Sequence, residues 1–153
     1  MKLYKLEDET LIHTSLEQCW DFFSNPKNLP LITPENLHFN IKSELPDRMY
    51  EGLIIEYTVN PIMNIPMKWI SEITFMKEPN YFVDEQRFGP YKFWHHEHYF
   101  KNNGNGIQMK DIVYYSLRFS FIGKIVHSLM VRRKLEKIFE YRKSRIEHIF
   151  TKH

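Results

Sequence analysis

Between Asn36 and about Ser120 the chain is a succession of six runs in which β-branched or aromatic residues alternate with polar ones, each run closed by turn-forming residues. Leu37 to Ser43 ends at Pro46-Asp47, Leu53 to Val59 at Asn60-Pro61, Met67 to Met76 at Glu78-Pro79-Asn80, and Tyr81 to Phe88 at Gly89-Pro90. Phe93 to Lys101 and Ile107 to Phe119 are joined through Asn102-Asn103-Gly104-Asn105-Gly106. Parallel neighbours need long crossover segments, which these connections lack, so the pattern dictates an antiparallel meander. An antiparallel sheet has one face to cover, and the cover is visible further on. No glycine or proline interrupts Lys124 to His153, which predicts one long helix lying on a curved sheet.

On that helix Leu129, Leu135, Phe139, Arg142, Ile146 and Ile149 fall broadly on one side, while Ile122, Ile125 and Val126 fall on another, which predicts a bend near Met130. At the other end of the chain, Lys2 to His13 reads as two extended pieces. Ser15-Leu16-Glu17-Gln18 then has the spacing of a capping box, and Leu16, Cys19, Trp20 and Phe23 follow at helical intervals. Asn25-Pro26 stops this helix, and a loose turn is expected over Lys27 to Leu31. The fold class is therefore α+β: an antiparallel sheet, short helices after its first strand, and a long C-terminal helix. With 153 residues and no linker-like stretch, residues 1–153 are expected to form a single domain.

Charge excludes some partners. There are 21 Lys and Arg against 19 Asp and Glu, so no nucleic-acid partner is expected. The excess of base sits in the last helix, where Arg132, Arg133, Lys134, Lys137, Lys143 and Arg145 suggest a solvated face or, as a weaker reading, contact with an acidic protein or membrane. Cys19 is the only cysteine, the N-terminal segment is acidic where a secretory signal would be apolar, and no apolar run reaches the ~20 residues of a membrane span. A cytoplasmic location is the simplest reading, with Cys19 as a small buried hydrophobe. Oligomeric state leaves no trace in the pattern.

Aromatic residues make up 16% of the chain, more bulk than a small core needs, which points to a lined cavity. The densest stretch is Pro90-Tyr91-Lys92-Phe93-Trp94-His95-His96-Glu97-His98-Tyr99-Phe100. Alternation along a strand puts Trp94, His96, His98 and Phe100 on one face and His95, Glu97 and Tyr99 on the other. The flanking rings mark the first face as the covered one, so both histidines are expected to point inward. The next strand offers Met109, Asp111, Val113 and Tyr115 at the same alternation. A two-residue turn at Asn103-Gly104 would set His96 opposite Asp111 and His98 opposite Met109. In the strand before, Gln86 shares its face with Asp84, Phe82 and Phe88 and is expected to join the inward polar cluster, with Asp84 a further candidate. Trp20, Tyr57, Trp69, Phe75, Phe82, Trp94 and Tyr115 are the expected walls.

Three readings stand open for Gln86, His96, His98 and Asp111: a satisfied hydrogen-bond network, a set of groups orienting a ligand, or a zinc site built from the two histidines and Asp111. Neither a Cys pair nor a His-Glu-x-x-His helix supports the last, so no metal or other cofactor is expected. No nucleophile elbow, P-loop or dinucleotide fingerprint is present, which leaves proton transfer by a His-Asp pair as the plausible enzyme chemistry.

The runs Phe82-Val83-Asp84-Glu85-Gln86, Gly89-Pro90-Tyr91-Lys92, Trp94-His95-His96-Glu97-His98 with Phe100, and Met109, Asp111, Val113, Tyr115 resemble the SRPBCC superfamily. So do Asn25-Pro26 with Leu29 and Thr33-Pro34, and the late Phe139-Glu140-Tyr141-Arg142. This superfamily includes START lipid-transfer domains, the birch-pollen-allergen fold and polyketide cyclases, and the resemblance is nearest to small bacterial ligand-binding members. It implies a helix-grip fold, in which a seven-stranded antiparallel sheet wraps the C-terminal helix and leaves a deep hydrophobic cavity. Some similar proteins carry an epimerase-like second domain and a cell-division-inhibitor label, and neither property is expected to carry over. The expected function is binding of a small, mostly hydrophobic or amphipathic molecule such as a lipid, polyketide or aromatic metabolite. The alternative is a cyclase- or dehydratase-like enzyme using the His-Asp pair.

Overall fold

A computed structural model describes residues 1–62, 64–118 and 124–151. The strands are β1 (Tyr4–Ile12), β2 (Asn40–Ile41), β3 (Ile54–Ile62), β4 (Ile65–Lys77), β5 (Tyr81–Phe88), β6 (Tyr91–Asn102) and β7 (Ile107–Leu117). They form one antiparallel seven-stranded sheet in the order β1-β7-β6-β5-β4-β3-β2, so the first strand crosses to pair with the last. Helix α1 (Leu16–Phe23) follows β1, 3₁₀ turns cover Pro26–Ile32 and Glu35–Leu37, and helix α2 (Lys124–Thr151) closes the chain.

Ser15 caps α1 as its spacing predicts, accepting from the Gln18 N–H at 3.1 Å. The reciprocal half of the box is not made, because Thr14 Oγ1 donates to Gln18 Oε1 at 2.6 Å instead. The N-terminal segment is one strand, not two. The expected run over Leu37 to Ser43 shrinks to two residues, because Glu35–Leu37 turns as 3₁₀ helix and His38 takes a left-handed backbone with φ 47°. The predicted end of the last strand at Phe119, and the residues Ile122 and Gly123, fall outside the described residues, as do the side chains of Ile125 and Val126.

The covering stripe of α2 is Val131, Leu135, Phe139 and Ile146, all buried. Leu129, expected on it, is 49% exposed, because two residues before Val131 lies about 200° around the helix. One end of the core gathers Ile12, Cys19, Trp20, Phe23, Phe100 and Ile146, and the other gathers Leu6, Tyr91, Val113, Tyr115, Leu135 and Phe139. Cys19 is buried, and burial pushes its thiol up to about 12, so it is a core residue without reactivity.

The β6–β7 loop is four residues, Asn103 to Gly106, closed by the Asn103 N–H on the Gly106 carbonyl. At Gly106 φ is +148°, and an added Cβ would lie 2.6 Å from the Ile12 carbonyl oxygen, whereas Gly104 at φ +88° has open space. Gly106→Ala is therefore expected to cost about 1–3 kcal/mol, and Gly104→Ala about 1 kcal/mol for its backbone alone. Urea unfolding of both variants checks the order; equal losses would mean that the Ile12 contact yields freely.

Candidate functional site

A cavity of about 220 Å³ lies between the inner face of β3 to β6, α2 and the 3₁₀ segment that starts at Pro26. The alternation on β6 turns Trp94, His96 and His98 inward, as the sequence predicts, and all three line the cavity. Tyr57, Trp69 and Phe82 line it as well. Trp69 stacks on Tyr57 at 5.8 Å and meets Trp94 edge-on at 5.3 Å. Ser71 satisfies the polar tips of this wall: Trp69 Nε1 donates to its Oγ at 3.0 Å, and the Tyr57 hydroxyl lies 3.3 Å away. Burial pushes the Tyr57 phenol up, so it stays protonated.

Five of the expected residues lie elsewhere. Phe75 is 46% exposed, because β4 bulges between Ile73 and Phe75 opposite consecutive residues of β5. The extra residue turns Phe75 outward against Tyr81 and leaves Met76 facing Phe82. Gln86 is spent on the β5–β6 turn, its amide donating to the Tyr91 carbonyl at 2.9 Å and accepting from the Tyr91 N–H at 3.2 Å. Tyr115 is core, 5.4 Å from the Tyr4 ring that β1 brings across the sheet. Trp20 is likewise core, edge-on to Phe82 and Phe100. Asp111 sits behind the histidines, outside the cavity lining.

The expected register is off by two residues. Because the loop has four residues, His98 pairs with Asp111 and His96 with Val113. An even shift keeps every side chain on its face, so Asp111 still reaches His96 diagonally. His96 donates through Nε2 to Asp111 Oδ1 at 2.8 Å, and His98 donates through Nε2 to Asp84 Oδ2 at 2.7 Å. The remaining ring nitrogens face the opposite carboxylates: His96 Nδ1 is 3.4 Å from Asp84 Oδ2, and His98 Nδ1 is 3.0 Å from Asp111 Oδ1 but out of line for a hydrogen bond. The two imidazoles pack at a tilt of 36° with centres 3.8 Å apart, and Phe82 stacks on His98 at 4.0 Å.

Arg142 completes the cluster. Its Nη2 is 3.5 Å from Asp111 Oδ1, and its guanidinium lies over Phe23 and Phe139, 5.8 Å from each ring centre. It lines the cavity, and its buried Nε has no partner. The sequence placed Arg142 on the apolar stripe without giving it a role; a lone cation among Leu135, Phe139 and Ile146 was the signal. Asp84, the further candidate beside Gln86, is the carboxylate that faces the cavity.

Electrostatics divide the two histidines. Burial and the neighbouring His98 charge lower the pKa of His96 against the pull of Asp84 and Asp111. Burial also opposes the charged form of His98, but Asp111 and Asp84 outweigh it and raise its pKa. Burial likewise resists ionisation of both acids; His96, His98 and Arg142 nevertheless hold Asp84 low, and Arg142 with the two histidines holds Asp111 well below the ordinary carboxylate range. The cluster thus sets two ionised carboxylates against the Arg142 guanidinium and two imidazoles, of which His98 holds a proton more tightly than His96. On the outer face His95 makes a separate pair of contacts, to Glu85 at 2.7 Å and Glu97 at 3.1 Å.

The basic side chains of α2 are largely engaged with their own chain. Arg132 pairs with Glu136, while Lys134, Lys143 and Arg145 donate to the carbonyls of Pro61, Glu9 and Leu31. Among the described residues no helix is long and apolar enough to cross a membrane.

No protein-family model matches the chain, and no curated protein matches it in sequence. Solved structures do match. Ginseng major latex-like protein 151 from Panax ginseng superposes with a TM-score of 0.69 at 14% identity over 97% of both chains. A START superfamily protein from Mycobacterium smegmatis gives 0.66 at 14% identity, over 96% of this chain and 98% of that one. A protein from Thermus thermophilus gives 0.65 at 14% identity, over 94% of this chain and 97% of that one. At such identities the likeness is one of architecture, and with the curved seven-stranded sheet and long last helix it makes this chain a helix-grip fold of the START and major latex-like type.

Proposed function

We propose that this protein binds a small, compact, mostly apolar molecule with one polar end, in the cavity between the sheet and α2. The observation that carries this is the segregation of charge: Asp84, His96, His98 and Arg142 are the charged or histidine side chains lining the cavity among the described residues, and all belong to one cluster. The rest of the lining is mainly aromatic and aliphatic, so the polar end is fixed at the cluster and the body lies against Tyr57, Trp69 and Trp94. The unpartnered Nε of Arg142 favours an acceptor or anionic group at that end. A volume of about 220 Å³ suits an aromatic or polyketide-like metabolite better than a long-chain lipid. The resemblance to lipid-transfer and cyclase relatives supports the same class, and a free buried thiol at Cys19 is compatible with the cytoplasm.

A cyclase- or dehydratase-like enzyme is the second reading, favoured by one observation: His96, hydrogen-bonded to Asp111 at 2.8 Å and with its pKa lowered by burial, lines a mostly apolar cavity. Thermal-shift screening of compact aromatic and acidic metabolites, with native mass spectrometry of the purified chain, tests the binding reading. A ligand at a hundred times its Kd should stabilise by about 2.7 kcal/mol. Ile138→Trp, which narrows the cavity from α2, should fold and lose that response. A library that shifts nothing, with no carried molecule, defeats the reading. Turnover of a bound compound that His96→Gln abolishes without loss of binding would favour the enzyme.

A further inference from the structure

The histidine and aspartate cluster crowds every one of its ring nitrogens against a carboxylate. All four ring nitrogens of His96 and His98 face a carboxylate oxygen at 2.7 to 3.4 Å. Two imidazoles carry four N–H groups only when both are protonated, which would set two imidazolium rings with centres 3.8 Å apart in a buried site. With fewer, a ring nitrogen presents its lone pair to a carboxylate; His96 Nε2 lies on Asp111 at 2.8 Å, and His96 Nδ1 faces Asp84 across the longest of the four gaps, 3.4 Å. A lone pair and a carboxylate repel unless something positive lies between them.

We propose that Asp84 Oδ2, His96 Nδ1 and His98 Nε2 hold a divalent first-row transition-metal ion at the inner end of the cavity. Their ligating atoms lie within 4.8 Å of one another, and the two nitrogens stand 3.4 Å and 2.7 Å from the Asp84 oxygen. Bonds of about 2.0–2.2 Å at ordinary coordination angles put ligand atoms about 3 Å apart, the spacing that each nitrogen already has from the Asp84 oxygen. The rear nitrogens are supported as metal-bound histidines usually are: Asp111 accepts from His96 Nε2 and lies 3.0 Å from His98 Nδ1. Arg142 balances that rear carboxylate. In the bound state His98 carries its N–H on Nδ1, toward Asp111, and the ion keeps positions open toward the cavity for water or an oxygen of a guest molecule. Two imidazoles and one carboxylate suit Zn²⁺ or Fe²⁺.

This inference shares the cavity with the ligand-binding reading but does not require an organic ligand. Tag-free full-length protein, stripped with chelator, is titrated with Zn²⁺ by calorimetry and with Co²⁺ by visible absorption. The expected result is about one ion per chain with a Kd on the order of micromolar or tighter, and paramagnetic broadening of the His96 and His98 ring signals by Co²⁺. Asp84→Asn and His96→Gln should each weaken binding at least about 100-fold, Asp111→Asn about 10–100-fold, and His95→Gln, on the outer face, not at all. If the variants do not fold, the site of broadening in the wild-type spectrum decides. Absence of binding at millimolar ion, broadening confined to other histidines, or unchanged affinity in folded variants overturns the proposal. A guest molecule captured by protein proven metal-free, with its own hydroxyl proton between His96 and Asp84, overturns it too while sustaining the ligand-binding reading.

Discussion

Replacing Asp111 by alanine is expected to lower the stability of this protein by about 3–5 kcal/mol, the cost of breaking a buried ion cluster by removing one partner. Asp111 is 3% exposed, accepts the His96 N–H, and is the nearest negative charge to Arg142. Without it, the Arg142 guanidinium loses the carboxylate beside it, and the Nε2 donor of His96 has no acceptor. Asp111→Asn, which keeps the volume but offers no charge, should move the same way by a smaller amount. For a chain of this length the alanine variant corresponds to a fall in Tm of about 10 °C. Urea and thermal unfolding measure it, with Lys27→Ala as a control, since the exposed Lys27–Asp47 pair should leave Tm unaltered within error. A loss below about 1 kcal/mol for Asp111→Ala would mean that the cluster is hydrated and that its charges do not depend on one another.

Acid should unfold the protein abruptly, and the sign follows from the direction of each shift. Asp84 and Asp111 have folded pKa values below their unfolded ones, so their stabilisation is present above the unfolded value near 4 and is lost as pH falls through the folded values. Asp8, paired across from Asp111 on β1, has its pKa raised by burial and by Asp111, so its protonation offsets part of that loss. His96, depressed by burial and His98, costs stability as pH falls below about 6.5, because the unfolded chain then takes up a proton more readily. His98 acts oppositely: its raised pKa gives stability that is full below about 6.5 and is lost as pH rises through the folded value. The histidines thus act on opposite sides of about pH 6.5, so their joint contribution is greatest near that pH and falls away on either side, and the carboxylates dominate below about pH 4. Urea midpoints should be highest near about pH 6.5 and collapse below about pH 4. A chain still fully stable at about pH 3 would contradict the depression of both acids.

Local alternation made much of the cluster legible. Trp94, His96, His98 and Phe100 announce one face, and the partner strand repeats the message with Met109, Asp111 and Val113, so the inward facing of Asp111 holds although the turn is longer than expected. The register does not hold, because two Asn-Gly pairs in succession admit loops of two or four residues, and only the hydrogen bond from Asn103 to Gly106 selects one. Phe75 departs from its expected face for a related reason: a bulge reverses every side chain beyond it, and Thr74 carries no mark of one. Tyr115 and Trp20 are aromatic residues on the correct side of their elements, but the rings that cover them, Tyr4 and Phe82, arrive from distant strands. Arg142 was visible as a charge on an apolar stripe. Which turn of the helix meets which strand is settled by the curvature of the whole sheet, so its partner was not visible.

The brevity of β2 has a consequence for traffic. Where a longer strand would have sealed this side of the sheet with a ladder of hydrogen bonds, the cavity is bordered by residues of the Pro26–Ile32 turn and by Leu37 and Phe39, which the sheet does not bind rung by rung. A guest bound as proposed would therefore enter or depart at the expense of fraying one short surface segment, and its rate of exchange would be set apart from the global stability of the curved sheet behind it.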